Sequence, residues 1–466
     1  MGRTQRKRKH KKLCEFTSCD DEKELIMLNA WLSKQGVRRS SKLVLAIFND
    51  TGRGVLTKKK ILAGDELINL PLNLTINVTS LLMDTAFCSI FLENRKNCLL
   101  EHKQSLSFQS LMAFYLVFLK AQGPLTKWNI YLNNLPEAYT VPYFLPMELK
   151  CFIDTEILSV IAKQKNIIEA SFNIFLDILD NHIFSNSLIE SFRKKFSKSV
   201  YEWAYFTVNT RCVYMDLSNV IDLQNTQSSI LALISDNTKI SLCPYLDMIN
   251  HSPNAKNETK LMINRDIENI TISKLKHDLF SDVRFSIYTK NNFKPYTQVF
   301  ICYGDSHNLK LITEYGFYLP SNDLDFVTFE FGKVELFLNS SGIKLSQDQL
   351  AFIESHSLDK DLYIDFRGLS FNFYGVLMVV KYYYSQNMDV SRLIYSAAIC
   401  SNDRVLIDLI MPMVKDKLIS VKERLRGRLE NPLLASTLQP TLTSRLTVDR
   451  GYLHTSLHPH IPTHRG

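Results

Sequence analysis

Helical patterning fills the stretch from about Leu81 to Asn209, and strand-like patterning lies on both sides of it. Residues 107–121, 148–180 and 189–208 carry apolar side chains at a 3.6-residue period with few glycines, as amphipathic or buried helices do. Upstream, residues 61–71 read as a strand, a Gly64-Asp65 turn and a second strand,. Downstream, strand texture returns at 241–250 and 298–303. The polar stretch 254–292 reads as a surface excursion around short strands. From about 326 to 425 the pattern is helical again, with Leu377, Val380, Lys381 and Tyr384 expected on one face. Near the front, Leu25, Leu28, Trp31 and Leu32 are spaced as one side of a helix over 24–34,. The expected class is α+β.

At 466 residues the chain suffices for two or three domains,. Its 45% hydrophobic and 22% charged residues suit a soluble globular protein,. The strongest apolar run, residues 111–119, is too short to span a bilayer and reads as a buried helix,. The basic front lacks a following apolar segment, so no secretory leader is expected. Nine cysteines form no C-x-x-C pair, and Cys14 and Cys19 have no second pair to complete a zinc site. Free thiols in a reduced nuclear or cytoplasmic setting are expected.

The net charge is +8, and residues 2–12 hold seven Lys/Arg. Such a block repels itself and stays disordered. It reads as a nuclear-localisation signal, a phosphate-binding arm that associates with chromatin, or a solvated tail. No aromatic residue is interleaved to stack on bases. From 427 to 466 there are two acidic residues, repeated Pro, Thr and His, and no period. That end reads as a disordered or non-homologous tail rather than a metal tract at His454, His458, His460 and His464.

Three short motifs carry the chemistry: Thr51-Gly52-Arg53-Gly54, Asp247-Met248-Ile249-Asn250-His251 and Phe300-Ile301-Cys302-Tyr303-Gly304. Singly they are bland. A G-x-G is usually a tight turn, Asn-His before Ser-Pro a turn, and a lone Tyr a core residue. Together, and with the W-x-x-Y-L-x-x-L-P segment at 128–136, they resemble the SET-domain protein methyltransferases. The branch is that of the Rubisco large-subunit methyltransferase, and the likeness runs over roughly 45–420.

The resemblance implies small sheets with a knot-like C-terminal loop, a helical insertion and a helical substrate-binding domain. The implied division is a basic tail (1–24), a split SET core (25–85 and 210–322), the insertion (86–209), the substrate-binding domain (323–426) and a tail (427–466). It implies S-adenosyl-L-methionine as cofactor and no metal. Gly52, Arg53 and Gly54 would lie along the cofactor's methionine part. Asn250 would contact its amino-acid end, and the His251 backbone its adenine. Arg211 would meet its carboxylate. Asp247 would order the loop or channel beside it. Tyr303 is the implied catalytic tyrosine, also bordering the cofactor. Tyr245, Tyr315 and Phe317 would line the substrate channel, whereas Trp128 and Tyr131 read as core packing.

Methyl transfer from a sulfonium to a neutral amine depends on positioning and desolvation. Burial lowers a lysine pKa, so no carboxylate base is required. The implied activity is protein-lysine N-methylation on a histone tail or another protein, in the nucleus and cytoplasm. Histidine methylation and a catalytically silent partner-binding module are the alternatives. A thiol hydrolase built on Cys302 or Cys243 with His251 lacks any accompanying nucleophile signature. The chain departs from the family at 254–292, after 427, and at Lys294-Pro295-Tyr296-Thr297, where a Gly-Glu turn is usual.

Overall fold

The computed structural model describes residues 16–19, 21–92, 96–150, 152–182, 187–223, 228–263, 283–383, 389–396 and 404–429. The basic block at 2–12 and the tail beyond 429 lie outside the described residues. Fourteen strands are described: β1 (Phe16–Ser18), β2 (Arg38–Arg39), β3 (Leu43–Phe48), β4 (Gly52–Thr57), β5 (Glu66–Pro71), β6 (Cys212–Tyr214), β7 (Ile240–Leu242), β8 (Asn250–His251), β9 (Asn257–Ile263), β10 (Val283–Thr289), β11 (Thr297–Ile301), β12 (Phe326–Phe329), β13 (Leu362–Asp365) and β14 (Gly368–Leu369). The chain divides into two compact units, residues up to 144 with 155–318, and 145–154 with 319 onward.

The first unit is built on small sheets. One runs β1-β3-β4-β11-β8, a second β2-β5-β10-β9, and a third pairs β6 with β7. Strands from both sides of the helical block therefore share sheets. β4 pairs antiparallel with β11, and β5 with β10. β8 runs parallel to β11, with Asn250 opposite Phe300 and His251 opposite Ile301.

Three sequence expectations are corrected here. The stretch 254–292 is more than a surface excursion around short strands: among its described residues, β9 and β10 pair in full register over seven residues each, and β10 lies between β5 and β9. Val283, Phe285, Ile287 and Thr289 form one buried face, and Ser286 is buried on the other between half-buried Arg284 and Tyr288. The strand therefore does alternate apolar with polar residues, a signal obscured by the polar stretch around it. Residues 264–282 lie outside the described residues. The first strand expected at 61–71 reduces to one bridge between Ile61 and Phe293. Strand β11 ends at Ile301, so Tyr303 follows the strand rather than closing it.

Helices fill residues 78–211. Phe108–Gln122 starts at a Ser107 cap whose side chain accepts the Ser110 N–H, satisfying one of the free first-turn donors. It is buried from Ser110 through Leu119, as an all-round apolar helix must be. Phe114 stacks on Phe175 of the Thr155–Asp180 helix at 4.1 Å and 3°. Phe87, Phe118 and Phe192 close round them. Lys23–Lys34 buries Leu25, Leu28, Trp31 and Leu32. No described helix is long and apolar enough to cross a membrane.

The second unit combines a β12-β13-β14 sheet with helices. Its core holds Val334, Leu338, Ile353, Phe373, Leu377 and Leu406. The three strands interrupt the helical reading of 326–425. Leu377, Val380 and Lys381 share one helix, Phe371–Tyr382, at the spacing of a single face,. That face grades from buried Leu377 through half-buried Val380 to exposed Lys381, and the helix is buried continuously from Phe373 to Val379. A helix wrapped on all sides carries no narrow apolar stripe. Tyr384 lies outside the described residues.

Candidate active site

The segment leading into β8 is set by an unusual backbone. Tyr245 has φ +72° and ψ −40° and precedes a 3-10 turn over Leu246–Met248. A bulky residue rarely adopts positive φ, and such strain concentrates at sites where the surroundings impose it. The surroundings here are dense: Tyr245 is fully buried, and the Arg39 guanidinium sits 4.8 Å from its ring centroid.

The turn delivers Asn250 to the start of β4. Asn250 Nδ2 donates to the Arg53 carbonyl at 3.2 Å. A Cβ on Gly54 would fall 2.7 Å from that same Nδ2 and 2.5 Å from Gln298 Nε2. Only glycine allows the amide this close an approach. Gly52, at φ +69°, lies in the tight turn between β3 and β4 and faces open space.

Arg211 ends the Lys198–Arg211 helix and turns toward Asp247. Its Nη1 donates to Asp247 Oδ2 at 2.9 Å and to the Asp247 carbonyl at 3.0 Å. Tyr131 OH donates to the same Oδ2 at 2.9 Å. Burial is the largest single influence and works against the Arg211 charge, but the Asp247 carboxylate together with Tyr139 and Tyr131 outweighs it and raises the guanidinium pKa. Burial, followed by nearby Arg211, lowers the pKa of Arg53, whose Nη2 donates to the Asn134 carbonyl at 2.6 Å. Arg211 Nε and Asp247 Oδ1 are buried with no hydrogen-bond partner among the described residues. Among the described residues Arg211 alone pairs with Asp247, while Arg53 stands close enough to oppose the Arg211 charge. The free Arg211 Nε is a buried donor suited to an anionic ligand group,.

Beyond β11 the rings converge. His251 lies 5.1 Å from Tyr303 and 5.9 Å from Phe317, and Tyr315 lies 5.3 Å from Tyr303 and 6.1 Å from Phe317. Tyr303 is held at both ends. Its backbone N–H donates to His251 Nδ1 at 3.1 Å, and its hydroxyl to the Ile249 carbonyl at 2.8 Å. Burial raises the Tyr303 pKa above that of an ordinary phenol, and burial followed by Glu314 pushes Tyr315 up to about 12. Burial lowers the His251 pKa. His251 therefore acts as a neutral acceptor that pins Tyr303. Cys243 is fully buried, and burial raises its thiol pKa, the opposite of an activated nucleophile.

Tyr315 closes a π-helical turn, Leu311–Tyr315, capped by Gly316 at φ +80°. Such turns recur at functional sites. The turn is tied to the insertion, because Asn209 Nδ2 donates to the Glu314 carbonyl at 2.9 Å and Gln109 Nε2 to Asn209 Oδ1 at 3.1 Å.

No protein-family model matches the chain. Proteins named SET domain-containing protein 4 do resemble it. That of Artemia parthenogenetica is 25% identical over 383 residues, covering 79% of this chain and 81% of its own. That of Homo sapiens is 27% identical over 321 residues, covering 68% and 64%. The actin-histidine N-methyltransferase of Drosophila melanogaster is 26% identical, covering 68% and 53%. A solved SET domain of LSMT bound to lysine and AdoHcy superposes with a TM-score of 0.52 at 17% identity, covering 94% of this chain and 86% of that one. This chain has the SET-domain fold.

Within that SET fold the structure assembles two clusters from residues far apart in sequence. Gly54, Arg53, Asn250, Arg211 and Asp247 form the polar one, and His251, Tyr303, Tyr315 and Phe317 the aromatic one. Tyr245, expected in the substrate channel, is fully buried at the head of the turn that carries Asp247, with its ring against Arg39 rather than among the four converging rings. Tyr131 was missed by sequence reasoning. It packs in the core as expected, fully buried with Trp128 6.5 Å away, and its hydroxyl also reaches Asp247. The available signal was general: a buried tyrosine needs a partner for its hydroxyl.

Proposed function

We propose that this chain is an S-adenosylmethionine-dependent protein-lysine N-methyltransferase. The observation that carries the reading is the juxtaposition of the polar cluster around Arg211 and Gly54 with a ring of four aromatic side chains: His251 on β8, Tyr303 just after β11, and Tyr315 and Phe317 around the π-helical turn. Arg211 and Asn250 would hold the amino-acid end of the cofactor, with Gly54 allowing close approach. When bound, S-adenosylmethionine supplies a methyl group on an electrophilic sulfonium. The chain's own part is to bind, orient and exclude water. Tyr303, fixed at its backbone and hydroxyl, borders the position where the target nitrogen would enter. A ring of His251, Tyr303, Tyr315 and Phe317 favours a neutral amine, since desolvation disfavours the ammonium. Alignment of the reacting atoms then supplies most of the rate.

Lysine is preferred over histidine because a solved SET domain of LSMT with the same fold binds lysine; the aromatic ring itself would accept a neutral imidazole as well as a neutral amine. Asp247, the carboxylate nearest the polar cluster, is engaged by Arg211 and Tyr131. The substrate is a protein, and a histone tail is the first to test. The basic block at 2–12 supports chromatin association and residence in nucleus and cytoplasm.

Calorimetric titration of the purified chain with S-adenosylmethionine, followed by radiolabelled-methyl transfer to histones and cell extract, tests the reading. Binding and label on lysine are expected. Label on histidine would reassign the target. No binding by folded protein would leave a partner-binding module.

A further inference from the structure

Away from these clusters, three side chains of different chemistry converge in the helical block. Cys98 lies in the Lys96–Glu101 helix, His102 follows one residue after it, and Asp177 lies in the Thr155–Asp180 helix. The spacing of four places Cys98 and His102 on one side of the chain. Asp177 Oδ2 lies 3.3 Å from Cys98 Sγ and 2.7 Å from His102 Nε2. All three donor atoms lie within 4.8 Å of one another. Cys98 is buried, and His102 and Asp177 are half-exposed.

We infer that Cys98, His102 and Asp177 form a binding site for a divalent transition-metal ion, with zinc the best match. Sulfur, imidazole nitrogen and carboxylate oxygen are the donor set zinc prefers. A tetrahedral zinc with bonds of about 2.0–2.3 Å spaces its donors by roughly 3.3–3.7 Å. The sulfur–oxygen separation lies within about 0.4 Å of the roughly 3.6 Å such a pair requires,. The imidazole–carboxylate pair, now at hydrogen-bond distance, opens by under about 1 Å through rotation of two half-exposed side chains. Charge also balances, since one thiolate and one carboxylate neutralise a divalent cation. The carboxylate is aimed by its surroundings: Asn181 Nδ2 donates to Asp177 Oδ1 at 3.0 Å, leaving Oδ2 to the site. Such outer partners orient ligands in metal centres. Binding exchanges the Cys98 thiol proton for the metal and releases it to solvent. Three protein ligands leave a fourth position for water. The ion would staple the short 96–101 helix to the long one behind it.

The test is titration of the metal-free full chain with cobalt(II), which reports a sulfur ligand through its thiolate-to-metal absorption band, followed by competition with zinc. The expected result is a saturable band at one equivalent, displaced by zinc, with a zinc-dependent rise in melting temperature. Cys98→Ser should abolish the band, and His102→Gln should weaken binding by at least about tenfold. Histidines near the C-terminus would bind cobalt without a thiolate band and would persist in both variants. No band in the wild type, an unchanged band in Cys98→Ser, or unchanged affinity in His102→Gln would each overturn the assignment.

Discussion

Arg211 and Asp247 form a buried ion pair at 2.9 Å, in which the aspartate side chain is wholly inaccessible and the arginine 15% exposed. Tyr131 completes the arrangement from the helical block. Removing one member leaves the other charge buried without compensation. Arg211→Met should cost about 3–5 kcal/mol. The double substitution Arg211→Met with Asp247→Leu should cost clearly less than the single one, because no orphan charge remains. Urea denaturation of the three proteins measures this. A double variant less stable than Arg211→Met would show that the pair is net stabilising through its contacts rather than through mutual neutralisation.

Tyr303→Phe keeps the ring and the backbone bond to His251 but removes the hydroxyl bonded to Ile249. Methyl transfer should fall by roughly 10²-fold, the scale of losing one positioned donor. Cofactor affinity should stay within about twofold, since the polar cluster is untouched. Single-turnover assays and calorimetry separate the two. Equal turnover by mutant and wild type would remove Tyr303 from the mechanism.

Burial lowers the His251 pKa below that of an ordinary histidine, so the unfolded chain takes up its proton at higher pH than the folded one. The neutral ring's contribution to stability is full above about pH 6.5 and is lost as pH falls from there through the lower folded value. Protonation also removes the Nδ1 acceptor that holds the Tyr303 N–H. Midpoints of chemical denaturation should fall with acidification more steeply in wild type than in His251→Asn. Parallel curves would place the acid sensitivity elsewhere.

Gly316 has no room for a side chain. A Cβ there would meet Thr140 Oγ1 at 2.4 Å and the Thr140 backbone at 2.9 Å, at φ +80°. Gly316→Ala combines left-handed strain with overpacking and should cost about 2–4 kcal/mol. Because Tyr315 and Phe317 flank it, substrate KM should rise more than cofactor Kd. A melting temperature unchanged from wild type would show that the segment can relax.

Tyr296 occupies the turn where the sequence departs from a glycine, and it takes φ +62° with 63% of its surface exposed. Tyr296→Gly relieves about 1–2 kcal/mol of strain and forfeits about 0.5–1 kcal/mol of chain entropy. A net gain of about 0–1.5 kcal/mol is expected by thermal denaturation. A loss would mean the exposed ring packs more than its area suggests.

Local physics made much of this legible in the chain itself. Leu25, Leu28, Trp31 and Leu32 specify one buried helix face because their period is that of the α-helix. The apolar run at 111–119 specifies a buried helix because nothing in it can face water. The motifs around Gly54, Asn250 and Tyr303 are bland singly and become legible only together, through their resemblance to the SET-domain methyltransferases. Tertiary structure alone decided what those residues meet. Strand β10 carries a period-2 pattern, with Val283, Phe285 and Ile287 on one face, but only pairing with β5 and β9 shows it as central. Tyr131 and Asp247 are 116 residues apart, as are other partners across the insertion, and no periodicity encodes a contact at that range. Which buried hydroxyl answers which buried charge is settled only when the helical block folds back onto the sheets.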